Sequence, residues 1–440
     1  MTDAVRDEIE AELAEFEVPG ISWAVIEGGE IVDRGSAGLM EAGRTELVSE
    51  RTLFQACSIS KPVAVFAMLR LVDQGVLDLD EDVNRRLKSW QIPRTGDWQP
   101  VVTLRQLVSH SAGLTVHGFP GYEYGEKLPT TRQILDGVSP ATNFGVRVDT
   151  VPGTQFRYSG GGTVVVQQLL EDVTGTPFRQ LAQELVLRPL GMSDSDYAQP
   201  LPEDRHGQAA VAHDGVGRPI EGRWHSYPEL AAAGLWTTPS DLVTFAQAVK
   251  NSYEGVEGAP LSPELAHQLL TPQVPLPERM GGFDALGLGL FLGQGGGLFG
   301  HGGSNEGFRC HLIAYRDTGQ GAAVMTNGDN GDLVVQKALV RIAAAYGWED
   351  YRTELDERVV LDEEAMAGRV GRYRLRESLR FEVELAGVGI RVTFDGQSPM
   401  PFRAMTPERF GARTADTELR FDDGGVVFVQ NGEEIRCTRE

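Results

Sequence analysis

The sequence predicts a mixed α/β protein of the α+β type, in which one sheet is assembled from both ends of the chain around a helical insert and a small all-β domain follows. Three observations predict it. A hairpin pattern near the N-terminus, 21–38, is matched by a glycine-rich strand pattern at 286–328. The stretch between them is helix-dominated. Beyond about Gly368 the texture changes to short, closely spaced strands. With 440 residues, two to three domains are expected, or one large domain with an appendage. Hydrophobic residues are 41% and charged residues 23%, an ordinary globular balance that excludes wholesale disorder, collagen and simple coiled coil.

The elements follow in chain order. Val5, Ile9, Leu13 and Phe16 recur at helical spacing, and Pro19-Gly20 stops that helix. Two extended runs, 21–27 and 30–38, surround Gly28-Gly29 as a hairpin. Residues 60–73 form a helix with Pro62 in its first turn, where a missing N–H costs nothing, and Gly75 beyond its end. Helices are also expected at 103–110, 162–173 and 239–250. The aromatic, glycine-rich segment 116–130 has no periodicity and reads as a long surface loop over a site. Strands are expected at 286–300, 310–316 and 321–326, with a closing helix at 334–346. The acidic, patternless stretch 348–364 reads as a linker. Strands are then expected at 381–385, 388–394, 417–421, 426–430 and 433–438, with turn pairs Asp395-Gly396, Gly424-Gly425 and Asn431-Gly432. This divides the chain into a large first domain at 1–350, a linker at 351–366 and a small β-barrel or sandwich at 367–440.

The net charge of -23 repels phosphate backbones and anionic surfaces, which argues against nucleic-acid and membrane partners. No run of about 18 apolar residues predicts a membrane span. The N-terminus lacks a basic start followed by an apolar run, so no secretory signal is expected and the expected compartment is cytoplasmic. Cys57, Cys310 and Cys437 are too scattered for a disulfide framework or a metal cluster. Neither zinc-ligand spacing nor a phosphate loop occurs, and a Gly-x-Ser-x-Gly elbow is missing. The expected cofactor and metal complement is none. Oligomeric state is left open.

Ser58-Ile59-Ser60-Lys61 carries the chemistry. A serine hydroxyl is a poor nucleophile until a base takes its proton. A lysine three residues later on a helix lies one turn away on the same face, and its amine serves as that base once neutral. A helix start adds free N–H groups for a developing oxyanion. With 19 serines and five lysines, chance yields roughly 0.2 such pairs. Yet the flanks, Leu53 to Cys57 and Pro62 to Ala64, are apolar, and an unpaired lysine there is costly. A second element is Tyr158-Ser159-Gly160, where a phenol before a glycine-rich turn can pass a proton to a leaving group. A third is His301-Gly302-Gly303-Ser304, following a strand expected to end at Gly300, where glycines admit close approach of a substrate backbone. Trp224-His225 and Trp236 are candidates for lining a pocket, with packing as the alternative; His110 and His117 read as hydrogen-bonded structural histidines.

The order of these three elements resembles the serine β-lactamase and penicillin-binding-protein superfamily, in particular class C β-lactamases and their esterase and D-aminopeptidase relatives. The resemblance extends to 54–61, 104–114, 234–242 and 300–308, and spans about 16–346. It implies an antiparallel sheet flanked by helices. It implies Ser58 as the acylated nucleophile, Lys61 as its base and Tyr158 as a partner in proton transfer. His301 would stand where many relatives carry a lysine, contributing electrostatics or substrate binding. The backbone N–H groups of Ser58 and Ser304 would form the oxyanion hole, and Gly160, Gly302, Gly303 and Trp236 would border the substrate, a small ester, amide or short peptide. Two departures weigh against efficient β-lactam turnover. Gly160 replaces the asparagine that contacts an acylamino carbonyl, and His301 replaces the lysine that holds a carboxylate. Gly160 admits two readings: a missing amide, which Gly160→Asn would restore for a cephalosporin, or a tight turn needing positive φ. The expected activity is therefore esterase or D-peptidase hydrolysis through acyl-Ser58. The alternative is an idle acyl-sensor or scaffold on the same fold.

Overall fold

The structure is a computed structural model that describes residues 3–348, 351, 361, 363–376, 379–386, 389–395, 399–412, 417–422, 425–430 and 433–440. Most of the expected linker, and parts of the three turn pairs near the C-terminus, lie outside the described residues.

The strands of the first domain are β1 (Gly20–Glu27), β2 (Glu30–Gly38), β3 (Phe54–Gln55), β4 (Trp236–Thr237), β5 (Val274–Met280), β6 (Phe283–Leu286), β7 (Phe291–Gly293), β8 (Leu298–Asn305), β9 (Phe308–Tyr315) and β10 (Gly321–Thr326). The main sheet has the order β2-β1-β10-β9-β8-β7-β6-β5, and its neighbours are antiparallel. The N-terminal hairpin thus docks on β10 through the register Trp23–Val324, joining the chain ends as expected. β3 and β4 form a separate two-stranded ladder, Phe54 opposite Thr237 and Gln55 opposite Trp236.

Helices α1 (Asp3–Glu15), α2 (Ser60–Asp73), α3 (Leu104–Val108), α4 (Thr131–Asp136), α5 (Gly160–Thr174), α6 (Phe178–Ala182), α7 (Leu230–Ala233), α8 (Pro239–Tyr253), α9 (Pro263–Leu269) and α10 (Gly331–Ala345) cover it. Because side chains alternate along a strand, β1 serves two cores. Ile21, Trp23 and Val25 pack with Ile9 and Leu13 of α1, Phe16 just past its end, and Leu339 and Ile342 of α10. Ala24 and Ile26 face the larger core of α2, α5 and α8. Burial on both faces explains why 23–26 reads as a continuous apolar run. Nearly every residue of α2 from Ser60 to Leu69 is buried, so this helix runs through the interior and places its N-terminus under the sheet. No helix among the described residues is long and apolar enough to cross a membrane.

Trp348 and Tyr351 are buried against the α1–α10 side, so the chain just past α10 still belongs to the first domain. After α11 (Glu363–Ala367) come β11 (Gly371–Arg376), β12 (Leu379–Ala386), β13 (Gly389–Phe394), β14 (Met400–Thr406), β15 (Arg409–Ala412), β16 (Thr417–Asp422), β17 (Gly425–Gln430) and β18 (Glu433–Arg439), each paired with the next. β18 returns to β11, which closes the barrel and decides between barrel and sandwich. Tyr373, Phe381, Val383, Val392, Phe402, Phe410, Leu419, Val426 and Phe428 fill its interior. It is a packed core rather than a channel.

Three corrections concern strands. β8 continues to Asn305, so His301 to Ser304 lie within the strand rather than after it. β5 was not anticipated because its sequence, VPLPERM, carries two prolines, which an edge strand tolerates. β14 was also not anticipated, and β11 and β15 were hidden by arginines at outward positions.

Candidate active site

Ser58 sits in a 3-10 turn, Cys57–Ile59, that leads directly into α2. Cys57 has φ of +51°, a left-handed conformation that costs a side-chain-bearing residue energy and persists only where the surroundings fix it. The fixing is visible. Ala56 N–H donates to Leu235 O (2.8 Å), Ser60 Oγ donates to Cys57 O (2.6 Å), Leu235 N–H donates to Ser60 Oγ (3.0 Å), and Tyr197 O–H donates to Ser60 O (2.7 Å). Ser58 itself remains partly exposed.

Lys61 is only 4% exposed. Its Nζ donates to Ser58 Oγ at 2.9 Å and to Ala232 O of α7 at 2.8 Å. Nζ also lies 5.1 Å from the centre of the Tyr158 ring. The helical spacing read from the sequence therefore brings the Lys61 amine and the Ser58 hydroxyl into contact. The Ala232 carbonyl completes the setting; nothing in the run of alanines at 231–233 announced it.

Tyr158 is half-buried and its ring is enclosed by aromatic neighbours. His110 lies 4.2 Å away, His117 4.9 Å away, and Phe291 is stacked at 6.4 Å, all between ring centres. Its hydroxyl makes no hydrogen bond to another described residue. His110 behaves as the structural histidine expected: its Nδ1 accepts from Ser159 N–H (3.2 Å), and burial, reinforced by the Lys61 cation, holds its pKa well below the usual value. Ser159 caps α5, its Oγ accepting from Gly162 N–H (2.9 Å) and donating to Thr115 O (2.7 Å).

The β8 segment faces the Ser58 turn. A Cβ on Gly303 would fall 2.5 Å from Cys310 Sγ, 2.6 Å from Ala56 O and 2.9 Å from Cys57 Cβ, so only glycine admits this approach. The hairpin closes through Asn305 and Phe308 around Glu306-Gly307. By the alternation of an antiparallel ladder, Gly302 and Ser304 then direct their backbone groups away from β9. β7 pairs only as far as Gly300, so that edge of β8 is open beyond it. Ser304 N–H consequently points out of the ladder at that open edge. Ser58, at the start of a helical turn, likewise has an N–H without an intrahelical acceptor. These are the two donors expected for an oxyanion. Buried Arg309 anchors the hairpin through Asp329 (2.9 Å) and Asp332 (3.0 Å), which sequence reading missed because the partners are 20 and more residues away.

His301 and Trp236 differ from expectation. His301 is 2% exposed, its Nδ1 donates to Gly302 O, and its Nε2 is enclosed without a partner. Burial, and next the Lys61 cation, push its pKa down to about 3. It is a neutral imidazole packed under Tyr158 and Phe291, and it supplies none of the positive charge a lysine would. Trp236 is 0% exposed; its ring packs on Trp224 and Phe308 behind the Ser58 turn and lines no pocket. A bulky ring on a two-residue ladder strand is simply core. Gly160 begins α5 without a left-handed φ, which removes the tight-turn reading. The 116–130 loop does lie over the site, as its composition suggested, but it is tied down rather than loose. His117 O accepts from Gly160 N–H (2.9 Å), Val116 O accepts from Gly161 N–H (3.0 Å), and Tyr122 exchanges backbone bonds with Ser226. Among the described residues no group of three or more His, Cys, Asp or Glu could hold a metal.

Glu229, just before α7, is 0% exposed with both carboxyl oxygens unpartnered, and burial raises its pKa to about 8. Between pH 4.5 and 8 the folded chain keeps this proton while the unfolded chain releases it, so stability falls as pH rises through that window. Glu229→Gln is therefore expected to gain stability relative to wild type between pH 5 and pH 8, by about 3 kcal/mol at most. Urea unfolding of both proteins at the two pH values measures it; an equal difference at both would show that Glu229 does not titrate as described.

Comparisons with known proteins agree with this fold. The family model described as Beta-lactamase matches residues 5–346. A D-aminopeptidase of Gluconobacter oxydans is 25% identical over 367 residues, covering 80% of this chain and 65% of that protein. Esterase EstB of Burkholderia gladioli is 33% identical over 234 residues, covering 50% of this chain and 56% of that protein. The chain thus spans less than two thirds of the length of either. The structure of the octameric penicillin-binding protein homologue from Pyrococcus abyssi is similar with a TM-score of 0.67 at 21% identity, over 99% of this chain and 100% of that one, a likeness of fold that includes the barrel. The family match runs continuously through the Ser58 turn, Tyr158 and β8, and the chain belongs to the β-lactamase family.

Proposed function

We propose that the protein is a serine hydrolase that cleaves an ester or amide through an acyl-Ser58 intermediate, with esterase or D-peptidase activity favoured over β-lactamase activity. The contact between Lys61 Nζ and Ser58 Oγ carries this reading. Once Lys61 Nζ has given up a proton to solvent, Ser58 Oγ attacks the substrate carbonyl and passes its own proton to that neutral amine. The negative oxygen of the tetrahedral intermediate is received by the N–H groups of Ser58 and Ser304. Collapse breaks the bond to the leaving group, which takes up a proton through Lys61 and the Tyr158 hydroxyl. Water then attacks the acyl carbon, its proton returns by the same groups, and Ser58 is released.

Gly160 offers no side-chain amide to an acylamino group, and neutral His301 offers no charge to a carboxylate. Both losses disfavour β-lactams and peptides with a free C-terminal carboxylate. The names of the D-aminopeptidase and esterase relatives support the same direction.

Intact-mass spectrometry after exposure to a p-nitrophenyl ester, a D-amino-acid amide and a cephalosporin tests this reading. Turnover of the ester or amide is expected, with negligible cephalosporin turnover. An idle acyl-sensor would form an adduct without turnover or none at all. Cephalosporin hydrolysis as fast as ester cleavage would overturn the preference.

A further inference from the structure

Gly160 is surrounded in a way that gives its missing side chain a cause. A Cβ placed there would lie 3.1 Å from Phe119 Cε2, 3.5 Å from Phe119 Cδ2 and 3.1 Å from His117 O. The Phe119 ring therefore holds the space into which a side chain two residues after Tyr158 would project.

The ring does not sit there by accident of a mobile loop. Its own segment is hydrogen-bonded to the start of α5 at three points: Gly160 N–H to His117 O, Gly161 N–H to Val116 O, and Ser159 Oγ to Thr115 O. The His117 ring lies on Tyr158. On the far side Tyr227 O–H donates to Pro120 O (3.2 Å). Phe119 is half-buried, packed against the main core on one side and left open on the other. Gly160 and Gly161 N–H are spent on this loop and Gly162 N–H on Ser159 Oγ, so the wall offers the substrate an apolar surface and no hydrogen bond from Gly160 to Gly162.

We infer that Phe119 is a specificity-determining residue: its ring bounds the acyl side of the site at Gly160 and selects short, unsubstituted apolar acyl groups over long or acylamino-substituted ones. This rests on the acyl-Ser58 reading above. It also corrects the simplest use of Gly160→Asn. The asparagine alone meets the ring and the His117 carbonyl and is not expected to recover cephalosporin acylation; Phe119→Ala has to make room for it.

The test is a chain-length series of p-nitrophenyl esters, acetate, butyrate and octanoate, with wild type, Phe119→Leu and Phe119→Ala, each checked for a native thermal transition. Wild type is expected to prefer the short esters. In Phe119→Ala the ratio of octanoate to acetate kcat/KM is expected to rise about tenfold or more, mainly through a lower KM for octanoate, with Phe119→Leu between. A merely structural role would lower kcat for all three esters together and leave that ratio unchanged. In parallel, the Gly160→Asn/Phe119→Ala protein is expected to be acylated by a cephalosporin faster than Gly160→Asn. A folded Phe119→Ala whose chain-length profile superimposes on wild type overturns the inference while leaving the hydrolase reading standing. No cleavage of any ester by wild type, with Ser58 unlabelled by a phosphonate, overturns both.

Discussion

Replacing Ser58 with alanine is expected to abolish ester hydrolysis, a fall of at least about 10³-fold, while leaving the fold intact. In the proposed mechanism this hydroxyl is the group that becomes acylated, and neither neighbouring nucleophile is placed to substitute for it. Ser60, the neighbouring serine, is fully buried, its Oγ already donating to Cys57 O and accepting from Leu235 N–H. Cys57, the neighbouring thiol, is buried and bonded to Gln55 O. Among the described residues, the only side-chain hydrogen bond that Ser58→Ala removes is the one from Lys61, which keeps its bond to Ala232 O. Stability should therefore change little, and a thermal transition measured beside the kinetics separates lost chemistry from lost structure. Ester hydrolysis at the wild-type rate in a folded Ser58→Ala protein would remove Ser58 from the mechanism.

Lys61→Met is expected to slow acylation by about 10²- to 10⁴-fold, the usual contribution of a positioned base. Methionine approximates the length and apolar stem of the lysine, so packing inside α2 is largely kept. What is lost is the contact to Ser58 Oγ, together with the partner of Ala232 O. Neither His301, with its pKa pushed down to about 3, nor the buried, hydrogen-bonded His110 stands ready to replace the amine. Burst kinetics with an activated ester read the acylation step directly. A burst rate within twofold of wild type would show that the base lies elsewhere.

The parts of the site that depend on local spacing were legible in the sequence. Ser58 and Lys61 are three residues apart on a helical segment, and helical geometry alone makes them neighbours. The hairpin at the N-terminus, α2 and the strands around β9 and β10 follow from periods of two and of three to four residues. What was not legible depends on residues far apart in the chain. That Gly303 must touch the Cys57 turn, that Ala232 holds the lysine, and that Phe119 fills the space beside Gly160 are consequences of how segments separated by some 40 to 250 residues dock. His301 and Trp236 illustrate the same limit from the other side. Their residue types suit a site, but burial decides what they do, and burial is set by the strands that β8 and β4 pair with. The conformation of Cys57 carries no sequence signal at all, since a cysteine with positive φ is uncommon and is imposed by the contacts around it.

The most direct test of the account is peptide mapping of the wild-type protein after reaction with a serine-directed phosphonate bearing a short alkyl group. The account predicts a single adduct per chain, located on Ser58, forming much more slowly in Lys61→Met and not at all in Ser58→Ala. An adduct on any other residue, or equal labelling of wild type and folded Ser58→Ala, would contradict it.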